Sequence, residues 1–222
     1  MHMHAHHGHA HGVAGPSQQM DRAMGVGVVL NVVFVVVELV FGFAADSLAL
    51  ISDAGHNAGD VLGLLLAWGA HWLARRPPSK RFTWGLGRST IFAAFANAAL
   101  LLVACGVILW EAAHRLVEPP PVQGVTMIVV AAIGVAINTI TAVWLAAGRK
   151  SDANIRGAFL HMAADAAVSA GVVVAGIVIG LTGWNLVDPA VSVLISLVIA
   201  WGTWDLLRES VELAMDAVPR GV

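Results

Sequence analysis

The feature that most constrains this chain is a series of six long apolar segments separated by short polar joints. Each segment is near or above the roughly 20 residues that an α-helix needs to cross a bilayer. Charged residues make up only 12% of the sequence, well below the roughly 25% of soluble domains. We therefore predict an all-α integral membrane protein with six transmembrane helices. The predicted spans are Ala23–Phe43, Leu48–Leu73, Ser89–Leu116, Gly124–Leu145, Ile155–Leu181 and Pro189–Leu207.

The basic residues predict how these helices are oriented. Eleven of the 12 lysines and arginines fall in the N-terminal flank, the second and fourth joints and the C-terminal tail, leaving only Arg115 on the opposite face. Basic residues accumulate on the cytoplasmic side of membrane proteins. We therefore expect both termini to be cytoplasmic, in a multi-pass protein of a bacterial inner membrane.

Two polar segments flank the predicted membrane domain, which covers residues 21–208. Residues 209–222 form a short amphipathic cytoplasmic tail, and no soluble C-terminal domain is expected after it. Residues 1–20 are expected to be a disordered cytoplasmic tail that captures metal loosely. An engineered purification tag is the alternative, although these histidines alternate with other residues. They are His2, His4, His6, His7, His9 and His11.

Two His-x-x-x-Asp pairs interrupt the apolar helices. His56 and Asp60 lie in the second span, and His161 and Asp165 lie in the fifth. Residues four apart share one face of a helix, and a carboxylate buried in hydrocarbon normally has a partner or a function. Each side chain could be satisfied separately by neighbouring helices. The repetition of the pair favours a single tetrahedral site for a divalent metal.

The predicted topology makes the second and fifth spans antiparallel, so the two pairs can meet near the membrane midplane. Two carboxylates and two neutral imidazoles balance the charge of a divalent cation. In the metal-free site, protons on histidine or on a buried aspartate would replace that cation. This competition is the physical basis of metal/proton antiport. Nitrogen and oxygen ligands favour Zn²⁺ as the transported substrate, with Cd²⁺ or Co²⁺ possible.

Enzymatic chemistry and a resident cofactor are not expected. A catalytic zinc site keeps one position open for water, whereas four protein ligands fill a tetrahedral shell. Nothing in the composition suggests a nucleic-acid partner. The expected partners are the metal ion, protons and the lipid bilayer.

Three further polar residues are candidates for the ion or proton pathway. Asp53 lies two turns from Asp60 on the same helix face, although a hydrogen bond near the start of the span is an equal alternative. Glu38, in the first span, either relays protons or is hydrated near the outer surface. His71 could contribute to cytoplasmic entry, but an interfacial histidine beside Trp72 is the simpler interpretation.

The second span, SLALISDAGHNAGD, and the later His161-x-x-x-Asp165 pair closely resemble the cation diffusion facilitator family of zinc-type transporters. The segments RRPPSKRFTWGLGRST and TGWNLVDPAVSVLISL are also similar to that family. The resemblance covers nearly the whole membrane part. It implies a homodimer of six-helix protomers that exports Zn²⁺ in exchange for protons by alternating access. It also implies that His56, Asp60, His161 and Asp165 bind the transported ion.

The resemblance fails at the C-terminus, where most members continue into a cytoplasmic domain that dimerises and binds regulatory metal. The chain is therefore interpreted as a short form, either natural or truncated, whose dimer rests on membrane helices. A rival hypothesis is a membrane metal sensor, or a subunit of a heteromeric transporter, that binds metal without transporting it.

Overall fold

The computed structural model describes residues 16–75, 86, 88–146 and 153–216; the side chains at 16–28, 71, 153 and 154 are not among those described. Each predicted span lies within one helix, and no described residue forms a strand, so the prediction of an all-α protein is confirmed. The helices are α1 (Pro16–Ala44), α2 (Leu48–Ala74), α3 (Ser89–Val117), α4 (Gly124–Ala146), α5 (Ala153–Thr182) and α6 (Val187–Ala214).

The first and last helices extend into the segments that the sequence assigned to tails. Helix α1 begins at Pro16, a residue type favoured in the first turn because its fixed φ suits a helix and its missing N–H has no partner there. Helix α6 continues through Ala214. Residues 16–20 and 209–214 are therefore helical, while 1–15 and 217–222 lie outside the described residues.

Four helices are long and apolar enough to cross a membrane by length and composition: α3, α4, α6 and the Ile155–Thr182 part of α5. Among the described residues, α1 adds a shorter apolar segment, Val29–Ala44. Large apolar side chains, including those of Trp144 and Trp201, project outward from the bundle. Together with the six-helix architecture, this surface defines an integral membrane protein.

Helix α2 occupies the middle of the bundle, where it packs against α1, α3, α5 and α6. Around it, the most extensive packing is between α4 and α5, followed by that between α3 and α6. Glycines allow the first of these contacts, since a Cβ added at Gly124 would lie 2.8 Å from the carbonyl oxygen of Gly176. Such close backbone approach is a common basis for helix association in membranes.

The two ends of the bundle differ in how the helices are joined. At one end, which we call the short-joint end, residues 45–47, 118–123 and 183–186 connect the helix pairs. Two hydrogen bonds from backbone N–H groups link these joints. The Gln123 N–H donates to the Ala45 carbonyl at 3.0 Å, and the Val122 N–H donates to the side-chain Oδ1 of Asn185 at 3.3 Å. The opposite end, where α2 and α4 end and α3 and α5 begin, is called the long-joint end.

Candidate metal-binding site

The two His-x-x-x-Asp pairs face each other across α2 and α5. His56 Nε2 lies 3.2 Å from Asp165 Oδ1 and 3.8 Å from Asp60 Oδ2. His161 Nε2 lies 3.2 Å from Asp60 Oδ2 and 3.6 Å from Asp165 Oδ2. Each imidazole therefore contacts one carboxylate of its own helix and one of the opposite helix. The four side chains predicted from the sequence form one cluster.

The spacing of these atoms is compatible with a single metal ion. Zinc–nitrogen and zinc–oxygen bonds of about 2.0 Å place neighbouring ligand atoms of a tetrahedron about 3.3 Å apart. The four imidazole–carboxylate distances, 3.2 to 3.8 Å, bracket that value. Ligand atoms of His56, Asp60 and Asp165 all lie within 4.8 Å of one another. His161, a described residue, does not belong to this three-residue group, and its ring centroid lies 6.1 Å from that of His56.

The cluster is open towards the long-joint end. The side chains of His161 and Asp60 are 44% and 29% exposed, whereas those of His56 and Asp165 are 18% and 4% exposed. Because α2 and α5 run in opposite directions, His161 and Asp60 are the members nearer the long-joint end. The two members nearer the long-joint end are therefore the more exposed, and the two nearer the short-joint end are the more buried.

The pathway candidates Asp53 and Glu38 are both buried, on the short-joint side of the cluster. Asp53 Oδ2 accepts a hydrogen bond from the Ser169 hydroxyl at 2.8 Å. Glu38 Oε2 accepts one from the Asn57 side-chain amide at 3.1 Å. These bonds connect α1, α2 and α5. Neither carboxylate makes an ion pair within 4.0 Å with a lysine, arginine or histidine among the described residues.

The other predicted metal-binding residues cannot be placed at the cluster. His71 lies in the last two turns of α2, and its side chain is outside the described set. The N-terminal histidines, His2, His4, His6, His7, His9 and His11, lie outside the described residues. Their roles stay predictions.

A buried carboxylate that sequence reasoning missed holds the start of α2. Asp188, in the first turn of α6, accepts hydrogen bonds from the Ser47 hydroxyl at 2.6 Å and the Leu48 N–H at 2.7 Å. Its Oδ1 also accepts the Ala49 N–H at 3.2 Å. The Leu50 N–H donates to the Ser47 hydroxyl, as in an N-cap. The free N–H groups of the first turn of α2 are thus satisfied, and the negative charge suits that end of the helix dipole.

A serine pair continues this connection one turn further along α2. The Ser52 and Ser192 hydroxyls are 2.6 Å apart, and Ser52 donates its hydrogen to the Leu48 carbonyl. Ser192 is therefore the donor between them. The sequence could have pointed to Asp188, because it is an acidic residue at the start of an apolar span. Its partner on another helix could not be read from the sequence.

These observations define a helical membrane protein whose central helices carry a two-histidine, two-aspartate cluster. The model of the cation efflux transmembrane domain matches residues 24–213. The chain belongs to this family of transporters, the cation diffusion facilitators, as the sequence motifs suggested.

Individual relatives agree with the family match. The metal cation efflux system protein CzcD of Cupriavidus metallidurans is 39% identical over 97% of this chain and 67% of its own length. Zinc transporter ZitB of Escherichia coli is 40% identical over 84% of this chain and 60% of its own length. A Bacillus velezensis protein named cadmium, cobalt and zinc/H(+)-K(+) antiporter is 33% identical over 97% and 69%. The chain thus spans about two thirds of the length of these relatives.

Proposed function

We propose that this protein exports Zn²⁺ across a bacterial inner membrane in exchange for protons. The observation that carries the proposal is the cluster of His56, Asp60, His161 and Asp165, with imidazole–carboxylate distances of 3.2 to 3.8 Å. Two of the relatives support the choice of ion, because the name of one specifies zinc and the name of the other specifies cadmium, cobalt and zinc.

Charge balance explains why metal and protons would exchange at this cluster. The two aspartates and two neutral histidines neutralise a divalent cation, so the loaded cluster has no net charge. Without metal, two carboxylates would remain near the middle of a low-dielectric bundle, which is unfavourable. Protons on the same side chains restore neutrality. Metal binding therefore displaces protons, and protons promote metal release.

The distribution of basic residues supports the direction of transport. Under the positive-inside rule, the long-joint end is cytoplasmic. The exposed side of the cluster then faces the cytoplasm, where Zn²⁺ would enter. Release to the outside requires the short-joint side to open and the long-joint side to close. This change of access is the alternating-access cycle of the proposal.

The proposal includes several parts that rest on residue chemistry or on family resemblance. Four protein ligands leave no water position, which argues against a hydrolase. A homodimer held by membrane helices is expected from the resemblance. The N-terminal histidines are proposed to capture metal loosely near the cytoplasmic entrance, with His71 as a further entry residue. No cofactor is proposed besides the transported ion.

The test is Zn²⁺ flux into or out of sealed vesicles containing the purified protein, with and without an imposed pH gradient. Wild type should move Zn²⁺ and consume the gradient, whereas Asp60→Asn and His161→Ala should do neither. Asp205→Asn and His114→Ala alter exposed side chains away from the cluster and should retain flux. Flux that ignores the gradient and the cluster variants would contradict the proposal. Binding at the cluster without flux would favour the sensor or heteromer hypothesis.

A further inference from the structure

Glu38 and Asp53 form a buried carboxyl pair that metal binding at the four-residue cluster leaves unexplained. Glu38 is on α1 and Asp53 is on α2, and neither side chain is exposed. Asn57, which donates a hydrogen bond to Glu38, lies one turn after Asp53 on α2, so both carboxyl groups lie in the same part of the interface between α1 and α2. Two adjacent carboxylates in a low-dielectric interior repel each other strongly unless something neutralises one of them.

In each acid of the pair, one carboxyl oxygen accepts a hydrogen bond and the other has no donor. Each acid has one oxygen bonded to a neutral donor: Asn57 donates to Glu38 Oε2, and Ser169 donates to Asp53 Oδ2. The remaining oxygens, Glu38 Oε1 and Asp53 Oδ1, are buried and have no hydrogen-bond donor. Asp188 differs, since both of its oxygens accept hydrogen bonds. The pair therefore lacks a donor between its two acids.

The surrounding helices supply few charges that could neutralise the pair. On α2 and α5, the ionisable groups that face Asp53 are His56 and Asp165, which act on it through space. Helix α4, the other neighbour of α1, has no ionisable side chain in its sequence, and Asn138 is its buried polar residue. A proton on one acid both removes a negative charge and supplies the missing hydrogen-bond donor.

We propose that Glu38 and Asp53 bind one proton between them, at a site separate from the metal ligands and on their short-joint side. The shared proton joins α1 to α2, and the Ser169–Asp53 hydrogen bond joins both to α5. The proton therefore favours the packing that closes the short-joint side of the cluster. Opening that side would admit water to the carboxyls, allow both to ionise and separate the three helices.

The proton can be observed directly by difference infrared spectroscopy of the metal-free full chain in lipid bilayers. A protonated carboxyl group has a C=O stretching band that shifts in D₂O. We expect wild type to show this band at neutral pH. Glu38→Gln and Asp53→Asn should both lose it, because an amide then provides the donor and the remaining acid can ionise. Asp205→Asn, at an exposed position, should leave the band unchanged.

Two results would overturn the proposal: a wild-type spectrum without the band at neutral pH, or a band retained in both pair variants. The consequence for gating rests on the proposed transport function, but the proton itself does not. Because the spectra are recorded without metal, a failure to observe Zn²⁺ flux would not contradict the shared proton. Conversely, the absence of the C=O band would not contradict the proposed Zn²⁺ transport through the four-residue cluster.

Discussion

The two halves of α2 differ sharply in their surroundings. From Leu48 to Asn57, the polar residues are buried or half-buried and bonded to α1, α5 and α6. From Asp60 onward, the helix is increasingly exposed, and Trp68 and Trp72 project from the bundle. His56 and Asp60 lie at the boundary between these halves. Hydrogen bonds thus connect α2 to other helices on the more buried side of the four-residue cluster, and the side chains on its other side are more exposed.

This difference suggests which contacts must change during transport. The first half of α2, Leu48 to Asn57, is connected to neighbouring helices by buried hydrogen bonds. Its partners are Asp188, Ser192, Ser169 and Glu38. Breaking a buried hydrogen bond without replacement costs about 1–3 kcal/mol. An outward opening therefore needs water or protons to replace some of these bonds. In the half of α2 after Asp60, the Ser89 hydroxyl of α3 donates a hydrogen bond to the Ala70 carbonyl at 3.0 Å.

The largest expected effect is at the boundary itself. Asp165 is the most buried member of the cluster and contacts both histidines. We expect Asp165→Ala to lower Zn²⁺ affinity by at least about a hundredfold, since loss even of groups that only support ligands costs 10- to 100-fold. Calorimetric titration of the purified protein measures this change. Glu111→Ala, distant from the cluster on α3, is the control, and equal affinity losses in both variants would contradict the assignment.

Cysteine labelling tests whether access really differs between the halves. The native cysteine, Cys105, is buried. Single cysteines can therefore be introduced and labelled without first removing it. Asp60→Cys should react readily with a membrane-impermeant thiol reagent applied from the long-joint side. Asp53→Cys should react far more slowly from either side, because its position is buried. Equal labelling at the two positions would show that the closed half is open to solvent.

The connection at Asp188 should contribute measurably to stability. Asp188→Asn removes the negative charge and one acceptor oxygen while preserving shape. We expect the free energy of unfolding to fall by about 2–4 kcal/mol, because hydrogen bonds to charged groups each contribute about 1.5–3 kcal/mol. Chemical unfolding in detergent micelles measures this loss. The exposed Asp205→Asn on the same helix should change little; comparable losses would mean that the α2 connection is not responsible.

The smallest expected effect concerns Ser169. Ser169→Ala removes the hydrogen bond to Asp53 but leaves the shared proton in place, and should cost about 1 kcal/mol. Hydrogen–deuterium exchange should increase at the short-joint ends of α2 and α5 rather than throughout the bundle. Ser210→Ala is the matched control, since the Ser210 hydroxyl donates to the Leu206 carbonyl within α6. Uniform changes in exchange would argue against a local role.

Much of the fold and the four-residue cluster could be predicted because the relevant signals are local. Long apolar runs specify membrane helices, since an unsatisfied backbone in hydrocarbon is costly. The helical period then places His56 with Asp60 and His161 with Asp165, whatever the rest of the bundle does. Antiparallel topology was enough to suggest that the two pairs meet. The structure places all four together, with Asp60 and His161 on the exposed side.

Contacts between faces of different helices could not be predicted in the same way. Helix geometry placed Asp53 close in angle to Asp60, yet Asp53 bonds to Ser169 and lies beside Glu38. Asp188 and Ser47 are 141 residues apart, and no periodic pattern relates them.

The sequence by itself determined the six helices, the family and the two His-x-x-x-Asp pairs, because hydrophobicity and helical period act over a few turns. Only the tertiary structure decided which carboxylates accept hydrogen bonds at both oxygens and which members of the cluster are the more exposed. Those properties depend on the rotation and tilt of packed helices. Rotation and tilt result from side-chain packing over the whole bundle, which no single segment encodes.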